Sequence, residues 1–385
     1  MVKRRLPEIF SVECMRLGFI VNPVAGMGGK VGLKGTDGVL MSAVAKGALP
    51  FAPQRAIEFL RELKPHVGNG IEILCCPASM GALEAAAADI SFKVLPMTLG
   101  KETTAKDTEN AVKVLNKAEV DLIVFVGGDG TARDILDAAK EGKSTPFLGV
   151  PAGVKMYSGI FAVNPTDAAK AVVAFAEHRA EIADFEVMDA NENAIRDDVF
   201  DVKLYGCLRG ISVPALIQGS KEISPETRSE TESQAAIAKY VVEELPKDAT
   251  LILGPGTTIE KIAGLLGVKK TVLGVDLYRN GGIILDVDEE TLLKGVKDWH
   301  STWIILSPIG HQGILLGRGN QQISPEVVKH VGKKHILVVA TLSKLGTIET
   351  KTLRVDTGDH EVDESLRGEL MVITGYREGV RIPIS

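Results

Sequence analysis

Apolar residues in the first half of the chain fall in short unbroken runs, with polar and glycine-rich stretches between them. Residues 15–22 (MRLGFIVN), 71–75, 92–95, 121–126 (DLIVFV) and 146–150 read as strands. DLIVFV shows no polar alternation, the pattern of a parallel strand covered on both faces. Between the runs, residues 54–63 set Ile57, Leu60 and Leu63 at helical spacing. Residues 81–89 are alanine-rich, 104–118 carry Ala111, Val112 and Leu115 on one face, and 131–140 follow a glycine loop; these also read as helices. Strands alternating with helices predict a doubly wound parallel sheet, which binds ligands in the loops beyond the C-terminal ends of its strands.

The second half is patterned differently. Residues 199–208 (VFDVKLYGCL) alternate in the manner of a half-exposed strand. Short β-like runs follow at 250–253, 303–306, 335–341, 353–355 and 370–374, punctuated by glycine, with helices expected at 233–244, 258–266 and 325–331. The polar stretch 220–232 reads as a loop. The expectation is an N-terminal extension (1–14), an α/β domain with a parallel doubly wound sheet (15–165) and a β-rich α+β C-terminal domain (166–385). A chain of 385 residues accommodates two domains.

Composition narrows the classes. A net charge of −6 argues against nucleic-acid binding, which calls for a basic face. It leaves room for a small anionic ligand, which needs only a few local cations and N–H groups. Lys30, Arg133 and Lys155 lie near the glycine loops. The 40 glycines form no short repeat, so they suit tight turns and close backbone approaches. None of the four cysteines forms a C-x-x-C pair, and adjacent Cys75 and Cys76 sit in an apolar run as expected buried thiols. With no apolar segment after the basic start and no run of membrane-spanning length, a cytoplasmic protein without membrane or nucleic-acid partners is expected.

The strongest chemical signal is DLIVFVGGDGTARDIL at 121–136. Gly127, Gly128 and Gly130 let the backbone pass close to a bulky anion. The N–H groups opening the next helix, with its dipole, favour phosphate oxygens there. Asp129 is then held beside phosphate, where a carboxylate is useful as a metal ligand or as acceptor of a hydroxyl proton. A plain strand-to-helix turn capped by Asp129 is the competing reading of these five residues.

The GGDGT segment resembles that of the superfamily of NAD kinases, diacylglycerol and sphingosine kinases, and phosphofructokinases. With GFIVNPVAGMGGKVGLKGTDG at 18–38, TTAKDT at 103–108, VPAGVKMYSG at 150–159 and GRGNQQISPE at 317–326, the chain is similar to the ATP-NAD/AcoX-type kinases from residue 15 onward. The resemblance implies an active site between two domains, ATP or polyphosphate as donor, Mg²⁺ or another divalent metal, and a hydroxyl as acceptor. In NAD kinases that hydroxyl is the adenosine ribose 2′-OH. It implies Asp129 as catalytic acid/base and possible metal ligand, and sets Asn22 of the first-strand loop beside Gly127, Gly128, Gly130 and Thr131 of the GGDGT motif, around the phosphates. It also implies a homo-oligomer.

Acceptor contacts are less sharply marked. Asn191-Glu192 is a candidate for the Asn-Glu pair that holds NAD in such kinases, against a charged surface loop. Gly254-Pro255-Gly256-Thr257-Thr258 stands where those kinases carry T-G-S-T-A-Y; it keeps the glycines and hydroxyls and lacks the Tyr. Gly256, Thr257 and Thr258 are therefore acceptor candidates, and a helix N-cap is the alternative. Lys155 could neutralise a phosphate and Tyr157 stack on a base or ribose, against an exposed lysine and a core tyrosine. In GRGNQQISPE, Arg318, Asn320, Gln321 and Gln322 crowd between glycines and are costly to bury idle. They suit phosphate or a subunit contact. His311 and Gln312 sit in a glycine-flanked turn, where histidine is usually structural. Asp286, Asp288 and Glu289 read as helix capping, and DTGD at 356–359 as a turn between strands. The leading expectation is ATP-dependent conversion of NAD to NADP. The alternatives are a kinase of the same fold acting on another small alcohol or a lipid, and a non-catalytic nucleotide-binding regulator.

Overall fold

The computed structural model describes residues 14–27, 50–100, 102–140, 145–153, 156–190, 202–213, 216–217, 228–309, 312–348 and 350–385. Lys30, Lys155, Asn191, Glu192 and His311 lie outside them.

The first sheet holds β1 (Met15–Val21), β2 (Ile71–Cys75), β3 (Lys93–Val94), β4 (Leu122–Gly127), β5 (Phe147–Pro151), β6 (Glu181–Ala190) and β7 (Val202–Ser212). Their order is β3-β2-β1-β4-β5-β7-β6. Only β6, at one edge, runs antiparallel to its neighbour. Helices α1 (Ala52–Leu63), α2 (Ala82–Ala87), α3 (Ala105–Lys117), α4 (Asp129–Ala139) and α5 (Pro165–Ala176) belong to this domain. Alternate residues of each central strand face opposite layers. Phe19, Val124 and Val150 pack with Phe59, Leu60 and Val172 of α1 and α5. Ile20, Ile123 and Phe125 pack with Val112, Leu115 and Ile135 of α3 and α4. Each such fully buried aliphatic or aromatic side chain contributes about 1.5–3 kcal/mol. Phe19 stacks on Phe59 with ring centroids 5.7 Å apart, fixing α1 against β1. The start of α3 is set by a capping box, in which the Thr104 N–H donates to Asp107 at 2.8 Å.

The sheet runs past residue 165, the boundary expected from the sequence. α5 covers it, and β7 pairs with β5 at Phe147 and Gly210. Strand β6 went unread in the sequence.

The C-terminal domain is sheet-rich, as expected. Its strands are β8 (Thr250–Leu253), β9 (Asp276–Arg279), β10 (Gly282–Ile284), β11 (Thr302–Leu306), β12 (Ile314–Leu316), β13 (Ile336–Val339), β14 (Arg354–Val355), β15 (Gly368–Gly375) and β16 (Glu378–Ile384). The main sheet has the order β10-β9-β8-β11-β13-β15-β16, and β12 pairs with β14 apart from it. The four central strands of the main sheet are parallel, and its outer strands are antiparallel. One face is packed by α6 (Arg228–Glu244) and α7 (Thr257–Leu265) through Ile237, Val241, Ile259 and Ile262. The other meets α8 (Glu289–Gly295), α9 (Pro325–Val331) and α11 (His360–Leu366) through Leu292, Val327, Val331 and Val362, while α10 (Leu342–Gly346) follows β13. Residues 228–232, expected in a loop, open α6. DTGD joins β14 to α11, not to a strand, and Asp359 caps that helix by accepting the Glu361 and Val362 N–H groups. Asp288 caps α8 as anticipated, accepting the Thr291 N–H at 2.8 Å.

The domains are tied by ion pairs. Arg55 of α1 is 3% exposed and grips Asp356 through both terminal nitrogens, one bond measuring 2.8 Å. Arg354 of β14 pairs with Asp167 of α5.

Candidate active site at the strand ends

In the first sheet the strand order reverses between β1 and β4. From that point β2 and β3 lie to one side, and β5 and β7 to the other. Adjacent strands here send their loops apart and leave a crevice at their C-terminal ends. Asn22 follows β1 and Gly128-Asp129 follow β4, so two of the sequence-predicted loops meet at this crevice. The third, after β5, joins them.

Three contacts lock the loops together. Asn22 donates twice: its backbone N–H bonds the Val126 carbonyl at 3.0 Å, and its Nδ2 bonds Thr131 Oγ1 at 2.9 Å. Gly128 lies against Gly153, whose Cα is 3.3 Å from where a Gly128 Cβ would stand. A methyl group at either position would force its neighbours to give way. Asp129 then reaches across to the β5 loop. Its Oδ2 accepts the Tyr157 N–H at 2.7 Å and its Oδ1 the Ser158 N–H at 3.1 Å. Ser158 is fully buried, and its own Oγ accepts the Met188 N–H from β6 at 2.9 Å. The edge hairpin thereby supports the loop that orients Asp129.

Helix α4 begins at Asp129 because Gly128 is extended, with φ −123° and ψ −167°. The N–H groups of its first turn lack carbonyl partners within the helix, so this end favours an anion. Gly130 is the second helical residue and Thr131 is buried, its hydroxyl used on Asn22. Tyr157 is only 6% exposed, which leaves little ring face for stacking. Burial, followed by the nearby Asp129 charge, pushes its phenol well above the ordinary tyrosine range. What Tyr157 brings to the crevice is its N–H.

The second domain adds Asp356, which the sequence does not mark as a site residue, and Arg318, which it matches to phosphate or a subunit contact. Asp356, read as part of a turn, is the partner of Arg55. Arg55 also donates from Nη1 to Glu58 at 2.9 Å and from Nε to the Pro151 carbonyl at 3.4 Å, at the end of β5. Its signal in the sequence was position: it falls on the buried stripe of α1 with Ala52, Ala56, Phe59 and Leu63. Arg318, in the loop after β12, is 6% exposed and donates from Nη2 to Gln312 at 3.0 Å. Burial pulls its pKa down to about 10, and Asp129 is first among the charges that oppose the shift, ahead of Asp356. The field of Asp129 therefore reaches a cation supplied by the other domain.

Gly256, Thr257 and Thr258 lie at the C-terminal end of β8, in the second sheet. Gly256 takes φ +121°, a conformation suited to glycine, and precedes α7. Thr257 Oγ1 accepts from Gln234 at 3.2 Å and Thr258 is 2% exposed, so both hydroxyls are drawn toward the protein. The buried thiols at Cys75 and Cys76 are free, and desolvation pushes the Cys76 thiol up to about 12. Such thiols are poor nucleophiles.

Among the described residues no three His, Cys, Asp or Glu side chains converge as a metal cage. The Asp129 carboxylate, beside an anion-favouring helix end, suits Mg²⁺, which keeps much of its water and binds through one or two carboxylates and substrate phosphates. Among the described residues no helix is long and apolar enough to cross a membrane.

Comparison with known proteins agrees with this arrangement. Residues 17–180 match the model of the ATP-NAD kinase N-terminal domain, and residues 247–384 match that of the ATP-NAD kinase C-terminal domain. No curated protein and no solved structure matches the chain. The first match carries the three strand-end loops around Asp129 and the second carries Arg318 and Asp356, so both domains that build the crevice are of one lineage, and the chain belongs to the ATP-NAD kinase family.

Proposed function

We propose that this protein transfers the γ-phosphoryl group of ATP to the adenosine ribose 2′-hydroxyl of NAD, giving NADP and ADP. The observation that carries the reading is the Asp129 carboxylate, held by the Tyr157 and Ser158 N–H groups at the anion-favouring start of α4. Family membership across both domains supports the choice of donor and acceptor.

Each feature has a role in such a transfer. The first turn of α4 and the Gly128–Gly153 contact provide a side-chain-free surface for phosphate oxygens. Asp129, fixed by the Tyr157 and Ser158 N–H groups, would face the acceptor hydroxyl as its proton acceptor. In the transfer the bond from the γ-phosphorus to the bridging oxygen of ADP breaks and a bond to the 2′-oxygen forms. The 2′-hydroxyl proton passes to Asp129, and ADP leaves with the electron pair of the broken bond. Fixing the carboxylate beforehand removes much of the cost of orienting it. When bound, Mg²⁺ would neutralise charge on the phosphates. Asp129 is the side chain here suited to contact it.

Lys155, Asn191 and Glu192, together with Gly256, Thr257 and Thr258, remain the acceptor and phosphate contacts we propose from the sequence. The test is product identification: purified protein, NAD and Mg²⁺ with either ATP or polyphosphate, and NADP read by an NADP-specific dehydrogenase. NADP formation with ATP is the expected result. ATP binding without NADP formation would contradict the choice of acceptor.

A further inference from the structure

The loop Gly317-Arg318-Gly319-Asn320 is built to hold one guanidinium still. Gly317 and Gly319 take φ +119° and +103°, which side-chain-bearing residues rarely adopt. A Cβ on Gly317 would collide with the Asp356 carbonyl, so the loop is pressed against the residue that clasps Arg55. Asn320 is fully buried and closes the turn twice. Its Oδ1 accepts the Gly317 N–H at 3.0 Å and its Nδ2 donates to the Leu315 carbonyl at 2.9 Å.

The side chain so fixed is not satisfied. Of the donors of Arg318, Nη2 bonds Gln312, while Nε and Nη1 are buried with no hydrogen-bond partner among the described residues. A guanidinium in this condition is expensive, because burial removes its water and nothing replaces it. Buried donors of this kind are rare in folded proteins and call for an explanation. Arg55, equally buried, shows the contrast: its three nitrogens are all bonded, to Asp356, Glu58 and Pro151.

We propose that Arg318 binds a phosphate group at the Asp129 crevice, its free Nε and Nη1 donating to phosphate oxygens from the side of the second domain. The proposal rests on the kinase reading above and deepens it. The loop that holds Arg318 is pressed against Asp356, which clasps Arg55 beside the Pro151 carbonyl at the end of β5, so a phosphate in the crevice would meet the guanidinium from the side of the second domain. Guanidinium suits this task through its fixed planar donors. Two sources share the chemistry: the polyphosphate chain of the donor nucleotide and the pyrophosphate bridge of a dinucleotide acceptor.

The experiment measures equilibrium binding of inorganic tripolyphosphate, ATP and NAD, each alone, together with ligand-free melting, for the parent protein, Arg318→Met and Arg318→Lys. It needs no turnover, so it reads Arg318 even if NAD proves to be the wrong acceptor. Arg318→Met, with the idle charge gone, is expected to melt no lower than the parent. Both variants should bind at least one of the three probes about tenfold or more weakly. Loss confined to tripolyphosphate and ATP assigns the contact to the donor, and loss confined to NAD assigns it to the acceptor. Should Arg318→Met fail to fold, Arg318→Lys decides. Unchanged binding of all three probes to the lysine variant overturns the proposal, as does a sharply lowered melting point in a folded methionine variant.

Discussion

Arg55 and Asp356, 301 positions apart, form a two-pronged hydrogen-bonded ion pair that joins α1 of the first domain to the loop after β14 of the second. Arg55 is almost wholly buried and Asp356 is partly exposed, so the arginine depends on the pair more than the aspartate does. Removing one partner of a buried pair strands the other and costs about 3–5 kcal/mol. Asp356→Ala should fall near the lower end, because Glu58 and the Pro151 carbonyl still hold Arg55. Thermal melting measures the loss. The double variant Arg55→Met, Asp356→Leu should recover much of it, and a double variant as unstable as Asp356→Ala would argue that the pair is not what joins these segments.

The contact between Asn22 and Thr131 makes a smaller prediction. Thr131→Val keeps the shape and removes the oxygen that accepts from Asn22 Nδ2. An unsatisfied partly buried amide costs about 1–3 kcal/mol, and Thr131→Ser should lose much less. Because this bond aligns the β1 loop with α4, kcat/KM for the valine variant should fall further than its melting point suggests. Equal melting of the serine and valine variants would remove the bond from the account.

Gly128 tests the close approach of the loops. In Gly128→Ala the new methyl would stand 3.3 Å from the Gly153 Cα and push the β4 and β5 loops apart. Overpacking of this kind costs about 1–3 kcal/mol. The shift would also move the Tyr157 and Ser158 N–H groups off Asp129, so activity should drop while the variant still folds. Wild-type kcat with an unchanged melting point would show that the loops have slack.

Lys344 gives stability a pH dependence. Its Nζ donates to Ser307 at 3.0 Å, and burial pulls its pKa from the ordinary 10.5 to about 8, against the opposing field of Glu230. Between those values the unfolded chain carries a proton that the folded one lacks, so raising the pH favours folding. The lysine's contribution is full above pH 10.5 and is lost as the pH falls through 8. The parent should therefore gain stability relative to Lys344→Met from pH 8 to 10.5 in denaturant titrations. A constant difference across that window would show that Lys344 titrates normally.

The core of the first domain was legible because its chemistry is local. LIVFV at 122–126 is buried throughout, and the glycines after it lie at the crevice. The edge hairpin was harder. In β6 the inward residues Ala183, Phe185 and Val187 are separated by Asp184 and Glu186, so one solvated face hides the strand. β7 was read as a strand, but nothing local tells which sheet it joins. In the second domain TLIL and ILVV have the same unbroken apolar character as DLIVFV, and they too prove to be parallel strands covered by helices. Arg318 was recognised as costly to bury. That it lies within the field of Asp129 depends on how the two domains meet, which spacing along the chain does not encode.

The central claim is that Asp129 serves the chemistry and not only the clasp between the β4 and β5 loops. The measurement is ATP binding and NADP formation side by side in the parent, Asp129→Asn and Asp129→Ala. A general base contributes about 10²–10⁴-fold, so turnover should fall by that range or more in both variants. ATP should bind as tightly as to the parent, or more tightly, since a negative charge beside the phosphates is gone. Parental turnover in folded Asp129→Ala, or a loss of turnover accounted for by lost ATP binding, would contradict the account.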